Sequence, residues 1–234
     1  MKGAPIAVFL AVSVFFNPAR SSEADNTPAP AGNPKEVVMK IREHRSGTWT
    51  PELTDAEKAT LFAIAKDTLA WCVRGKKEPF PMQSYALTPK LKTDTATFVT
   101  LKIRGELRGC IGSLAPVEPL YLSVHNNAVN AALRDFRFGP VQPAELPGIS
   151  LAVSILSPMR DIPGVDDFKL GQQGIILSKG VSRAVFLPEV ATEQGWTREE
   201  TLAHLCLKAG MEPDAWRKGA KFQVFESVVL TLEE

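Results

Sequence analysis

Residues 97–116 read TFVTLKIRGELRGCIGSLAP, and the fold turns on how this stretch pairs with itself. Thr97 to Lys102 alternates apolar and polar residues, the signature of a half-buried strand, and a second short strand follows a glycine turn. With Ile103-Arg104-Gly105 as a three-residue hairpin loop, Gly105 supplies the left-handed residue. Lys102 then faces Glu106, Leu101 faces Leu107, Thr100 faces Arg108, Val99 faces Gly109 and Phe98 faces Cys110. One side of the ribbon carries Val99, Leu101, Leu107 and Ile111, a core face. The other carries Phe98, Thr100, Arg108 and Cys110, with the opposite charges of Lys102 and Glu106 juxtaposed. A loop shorter by one residue mixes apolar and charged positions on both faces, so the longer loop sets the register.

Elements on either side follow from similar signals. Thr54-Asp55-Ala56-Glu57 is a capping box opening a helix whose apolar face carries Leu61, Ile64, Ala65, Thr68 and Cys72, closing near Gly75. Leu120 to Arg134 reads as an Ala-rich helix entered at Pro119. Ile149, Leu151, Val153 and Ile155 alternate with small polar residues along a strand. Gly174–Leu177 and Arg183–Leu187 flank Ser178-Lys179-Gly180 as a second hairpin, and Thr197-Arg198-Glu199-Glu200 opens a helix that Gly210 closes. Phe222 to Leu232 reads as one final strand. Hairpins with interspersed helices give an α+β fold with a mainly antiparallel sheet and flanking helices.

The N-terminus reads differently. Lys2 precedes an apolar stretch from Ala4 to Phe16, about 13 residues against the roughly 20 that span a bilayer, so it is a signal-like h-region rather than a stable membrane span. Ser22-Glu23-Ala24 offers a cleavage site. Residues 1–24 are therefore a signal-peptide-like segment, 25–48 a Pro/Ala-rich linker containing Pro28, Pro30 and Pro34, and 49–234 the folded domain. This places the protein outside the cytoplasm, periplasmic or secreted; a start near Met39 leaves it cytoplasmic instead.

Of the 234 residues 44% are hydrophobic and 23% charged, the balance of an ordinary globular chain. There are 27 basic and 26 acidic residues, and losing Lys2, Arg20 and Glu23 with the leader leaves 25 of each. That neutrality argues against a nucleic-acid partner, since phosphate neutralisation needs a basic excess. Lys90, Lys92, Lys102, Arg104 and Arg108 form only a patch diluted by Asp94 and Glu106. Cys72, Cys110 and Cys206 have no metal-ligand spacing, so no metal and no cofactor is expected; whether two of the three join in an oxidising compartment is left open.

Chemistry concentrates around Cys110. Gly109 and Gly112 leave room for a ligand or another backbone, Arg108 beside the thiol favours its thiolate, and the amides around Gly112 and Ser113 suit an anion. His125, on the Ala-rich helix, serves as a base only if that helix packs over the hairpin. Asp135 and Arg137 flank Phe136, either as a salt-bridged turn fixing the aromatics or as groups orienting a ligand. Cys110 is thus the candidate nucleophile and His125 a weaker candidate base, with Arg108, Gly109, Gly112, Ser113, Asp135 and Arg137 as candidate ligand contacts.

Leu107-Arg108-Gly109-Cys110-Ile111-Gly112 resembles the LRGCIG signature of the AMMECR domain family, whose bacterial and archaeal members are called AmmeMemoRadiSam system protein A. Arg134 to Phe138 with Pro140, Val153 to Pro158, Phe186 to Ala191 with Gln194 to Trp196, and Leu205 to Gly210 resemble the same family in collinear order from about Leu53 to Leu232. The resemblance implies an α+β fold of two subdomains with the signature lining a groove. It also implies association with a Memo-like protein and a radical S-adenosylmethionine protein, and it supplies no reaction. The leader lies outside the resemblance, and radical iron–sulfur chemistry needs a reducing compartment. Two readings of function follow: a thiol-dependent activity on a small molecule or peptide centred on Cys110, or a non-catalytic module that binds a ligand or partner.

Overall fold

The computed structural model describes residues 40–233 and the backbone of Ser13–Val14; the rest of the signal-like segment and linker lies outside the described residues. The chain forms two compact units, one built on residues 52–155 with 229–233, the other on 44–51 and 156–228.

In the first unit the quoted stretch forms the hairpin β3 (Thr97–Ile103) and β4 (Glu106–Gly112). Its register differs from the sequence reading. The loop is the two residues Arg104 and Gly105, both at positive φ (53° and 84°), which matches the right-handed twist of the flanking strands. Ile103 pairs with Glu106 and Lys102 with Leu107; the register then shifts, and Leu101 pairs with Gly109, Thr100 with Cys110 and Val99 with Ile111. Arg108 is the extra residue of a β-bulge. By absorbing one position the bulge restores Val99, Leu101 and Ile111 to one face, the alternation that otherwise argues against the shorter loop.

The sheet runs in the order β1-β4-β3-β5-β10-β2, where β1 is Ser13–Val14, β2 Ile41–Arg45, β5 Ile149–Leu156 and β10 Ser227–Leu232. β1 pairs parallel with Ile111 and Gly112, while β4, β3 and β5 are antiparallel. β2 is a correction to the linker 25–48, since the folded chain is already a strand at Ile41. Its sequence Ile-Arg-Glu-His-Arg hides the strand because it is a sheet edge, where charge is favoured over alternating apolar residues.

Two helices cover the odd-numbered face of β3. Thr54 caps α1 (Asp55–Val73) with the expected capping box, and α2 spans Leu120–Leu133. Asn127 of α2 donates from Nδ2 to the carbonyl (3.1 Å) and hydroxyl (3.0 Å) of Thr97, and the Ser123 and Thr97 hydroxyls lie 2.7 Å apart. This polar stitch sets α2 on the sheet, and Leu69, Cys72, Val99, Leu101, Ile111, Ala128 and Ala132 pack into a shared core. Gly109 makes the contact close: a Cβ there would run into the Ala131 carbonyl oxygen.

The second unit holds a sheet in the order β6-β9-β7-β8, with β6 at Arg160–Ile162, β7 at Gly174–Lys179, β8 at Ser182–Phe186 and β9 at Lys221–Phe225. The expected hairpin is β7–β8, with Gly180 at φ 60°. α3 (Pro188–Gln194) and the capped α4 (Arg198–Lys208) lie beside it. The single strand expected over Phe222–Leu232 is two, β9 and β10, in different sheets. The break falls at Glu226, whose carbonyl accepts from the Ser157 amide and whose amide donates to the Ser157 hydroxyl (both 2.9 Å).

Gly109→Ala tests the helix–sheet contact. The added methyl must displace the α2 backbone, so it should destabilise by about 1–3 kcal/mol in urea unfolding, the usual cost of overpacking. An unchanged midpoint would show that α2 does not sit against Gly109.

Candidate functional site

Cys110 sits on β4 with no exposed surface. Its side chain points to the face opposite Ile111 and Val99, and the Thr100 hydroxyl donates to its sulfur at 3.3 Å. Its peptide groups turn away from β3. The Cys110 amide donates to Asp135 Oδ2 at 2.8 Å, and its carbonyl accepts from Arg137 Nη2 at 3.0 Å. Asp135 and Arg137 also join each other: Nε reaches Oδ1 at 2.8 Å, Nη2 reaches Oδ2 at 2.6 Å, and the Arg137 amide donates to Oδ1 at 3.2 Å. The two side chains therefore bond both outward peptide groups of Cys110, next to the point where β1 pairs with Ile111 and Gly112.

This ion pair is sunk in the protein, with side-chain exposures of 2% for Asp135 and 13% for Arg137. Burial pushes the Asp135 carboxyl up, but the Arg137 hydrogen bonds, the Cys110 amide and the Arg137 charge outweigh it and hold the group below its ordinary value. Among the described residues the buried Arg137 Nη1 meets no hydrogen-bond partner, while the guanidinium carbon lies 5.5 Å from the Phe138 ring centroid. The salt bridge of the first reading is present, with Arg137 Nη2 2.6 Å from Asp135 Oδ2.

Arg108 is not beside the thiol in the manner its strand position suggests. The bulge re-aims it, and Nε and Nη2 bond the Glu145 carboxylate at 2.7 and 3.0 Å while Nη1 donates to the Gly139 carbonyl at 3.0 Å. Glu145 is lowered from its ordinary value, first by those Arg108 bonds and next by the Gln142 amide. The guanidinium held against Cys110 is Arg137's, and it holds the carbonyl rather than the sulfur. Commitment to Glu145 also removes Arg108 from the dilute basic patch.

The room expected beside Gly109 and Gly112 is filled by the protein itself. A Cβ on Gly112 would meet the Phe98 ring and the Thr97 carbonyl, as one on Gly109 would meet Ala131. The Ser113 amide bonds Thr97 O (3.0 Å), and its hydroxyl closes a local turn with Ala115. His125 lies elsewhere in the same unit. α2 packs on the face of Val99 and Ile111, so it does not cover the Cys110 side chain, the arrangement a base would need. Instead His125 Nδ1 lies 2.7 Å from the Thr68 hydroxyl, with the Phe80 and Trp71 rings at 4.6 and 5.7 Å between centroids. Burial, then the charge of Lys76, lowers its pKa.

Cys72 and Cys206 are also buried, and no disulfide joins any of the three cysteines. Burial pushes the Cys72 thiol up to about 11 and raises Cys206 as well. Among the described residues no group of three His, Cys, Asp or Glu side chains is placed to hold a metal ion, and no helix is long and apolar enough to cross a membrane. Glu145 and Thr100 were the contacts sequence reasoning missed: Glu145 is 37 residues from its partner, and nothing local announces the pairing.

Helices on one face of a mainly antiparallel sheet, with a hairpin held through a buried ion pair, define an α+β protein. The model of the AMMECR1 family matches residues 62–230, and the chain belongs to that family. A protein of Methanosarcina acetivorans is 34% identical over 190 residues, covering 78% of this chain and 94% of its own. Protein MK0488 of Methanopyrus kandleri is 40% identical over 193 residues, covering 78% and 92%. The crystal structure of an uncharacterised protein, PH0010 from Pyrococcus horikoshii, superposes with a TM-score of 0.71 at 28% identity, over 79% of this chain and 99% of that one. None of these names carries an activity, so membership brings the fold and not a reaction.

Neutralising Asp135 tests the lock. Asp135→Asn leaves Arg137 buried without its counter-charge and should cost about 3–5 kcal/mol in urea unfolding near neutral pH. Because the folded carboxyl titrates below its ordinary value, its contribution is complete above the unfolded pKa of about 4 and is lost as pH falls through the folded one. The gap between wild type and variant should therefore narrow from pH ~6 to pH ~3. A gap that stays constant or widens in acid would contradict the ion-pair assignment.

Proposed function

We propose that the chain is a non-catalytic module that binds a partner, with the LRGCIG hairpin as its rigid frame. The carrying observation is that Cys110 has no exposed surface. A nucleophile must meet its substrate and be deprotonated by a base or a neighbouring positive charge. The three groups the sequence offers for that role are engaged otherwise: Arg108 is paired with Glu145, Arg137 serves the Cys110 carbonyl, and His125 faces Thr68. The Memo-like and radical S-adenosylmethionine proteins that the resemblance names are the first partners to test with the purified chain.

The thiol-dependent reading keeps one observation in its favour, the hydrogen bond that the Thr100 hydroxyl gives the Cys110 sulfur at 3.3 Å. Alkylation by iodoacetamide, read cysteine by cysteine by mass spectrometry, separates the two. The binding reading expects Cys110 to react as slowly as Cys72 and Cys206 in the native protein, and all three to react together in denaturant. Rapid modification of Cys110 alone below about pH 7, well under the ordinary thiol pKa of about 8.5, would overturn it in favour of an activated thiol.

A further inference from the structure

Phe136 is 76% exposed, yet the residues on either side of it are among the most firmly held in the molecule. Asp135 and Arg137 are fastened to each other and to the Cys110 peptide groups. The Phe138 amide donates to the Asp135 carbonyl at 3.0 Å, and the Val141 amide returns to Ala132 at 2.8 Å, closing the loop onto the end of α2. The Phe138 ring lies beside the Arg108 and Arg137 guanidiniums. Among the described residues of this turn, Phe136 is the large apolar side chain left in solvent.

A buried ion pair is a weak source of stability, because desolvation offsets its attraction. Its effect is positional. It fixes the β4 backbone at Cys110 and, between the same two residues, Phe136 stands out in solvent. An aromatic residue presented on a rigid support is the arrangement of an interface anchor, since large rings carry much of the binding energy and little ordering remains to be lost on association.

The surrounding charge describes the partner. Between Asn130 and Val141 the acidic residue is Asp135, buried and paired with Arg137, while Arg134 is exposed beside Phe136 and, among the described residues, bonds Asn130 at 3.3 Å. We infer that Phe136 inserts into an apolar cavity on a folded partner protein whose rim carries carboxylates facing Arg134. The inference rests on the partner-binding reading and locates its contact surface.

Photo-crosslinking tests it in the full-length protein expressed in its host. Benzoylphenylalanine replaces Phe136 in one protein and, as a control, Val181 in another, the Val181 side chain being fully exposed on the β7–β8 turn. The expected product at position 136 joins a second protein within an apolar cavity bordered by Asp or Glu, with a yield that Arg134→Glu lowers roughly tenfold. With that partner purified, Phe136→Ala should weaken binding by roughly thirtyfold while leaving the thermal midpoint unchanged, as its ring packs on little of the fold. No product above the Val181 control, a covalent dimer of this chain, or a partner site rimmed by basic residues would each overturn the proposal. If the intact chain binds a purified partner that is indifferent to Phe136→Ala, the binding reading stands and this surface falls. If the intact chain binds neither of the two partners named above and yields no crosslink, both fall.

Discussion

Asp135 and Arg137 grip the backbone of Cys110 from outside the β3–β4 ladder, and the rest of the first unit is arranged around that grip. A strand near a sheet edge presents amides and carbonyls that must be satisfied by something other than its inner neighbour. At Cys110 both outward groups are met by one ion pair, whose own charges are satisfied by the same contacts. The inner face of the strand is fixed independently, because Gly109 lets the Ala131 carbonyl come close and Ile111 enters the core shared with α1 and α2. Helix, hairpin and turn thus specify one another: the turn that follows α2 supplies the clamp for the strand on which α2 rests.

Seen this way, the residue types of the signature acquire structural reasons. Gly109 is needed by the helix backbone and Gly112 by the Phe98 ring, and Cys110 is small enough to sit fully enclosed beside Thr100. Arg108, thrown out of register by the bulge, anchors the segment around Glu145. A motif of this composition suggests a reactive thiol beside a cation. Its geometry is equally that of a joint holding a hairpin, a helix end and two loops in fixed relation, and a binding surface requires such a joint.

Much of the fold was legible because its signals are local. Both capping boxes, the glycine stops after α1 and α4, the β7–β8 hairpin and the alternation of β5 each depend on a few neighbouring residues. The β3–β4 register was not, because a bulge looks in sequence like one more alternating position, and only the three-dimensional pairing shows that Arg108 is supernumerary. β2 escaped since an edge strand of charged residues lacks the apolar alternation that marks a strand. At the site, the salt-bridged turn of Asp135 and Arg137 was readable from their spacing around Phe136. What they hold was not, as Cys110 lies 25 residues away from Asp135 and contributes backbone atoms, which carry no sequence signature.

The arrangement of the first unit depends on the Asp135–Arg137 ion pair holding the outward peptide groups of Cys110. Native-state amide hydrogen exchange at Cys110 tests it most directly. The outward Cys110 amide should be protected about as strongly as the inward amide of Ile111, both opening only with the whole unit. Exchange of Cys110 at the rate of the exposed hairpin-tip amide of Val181, with Ile111 still protected, would show that Asp135 does not hold that amide and would contradict the account.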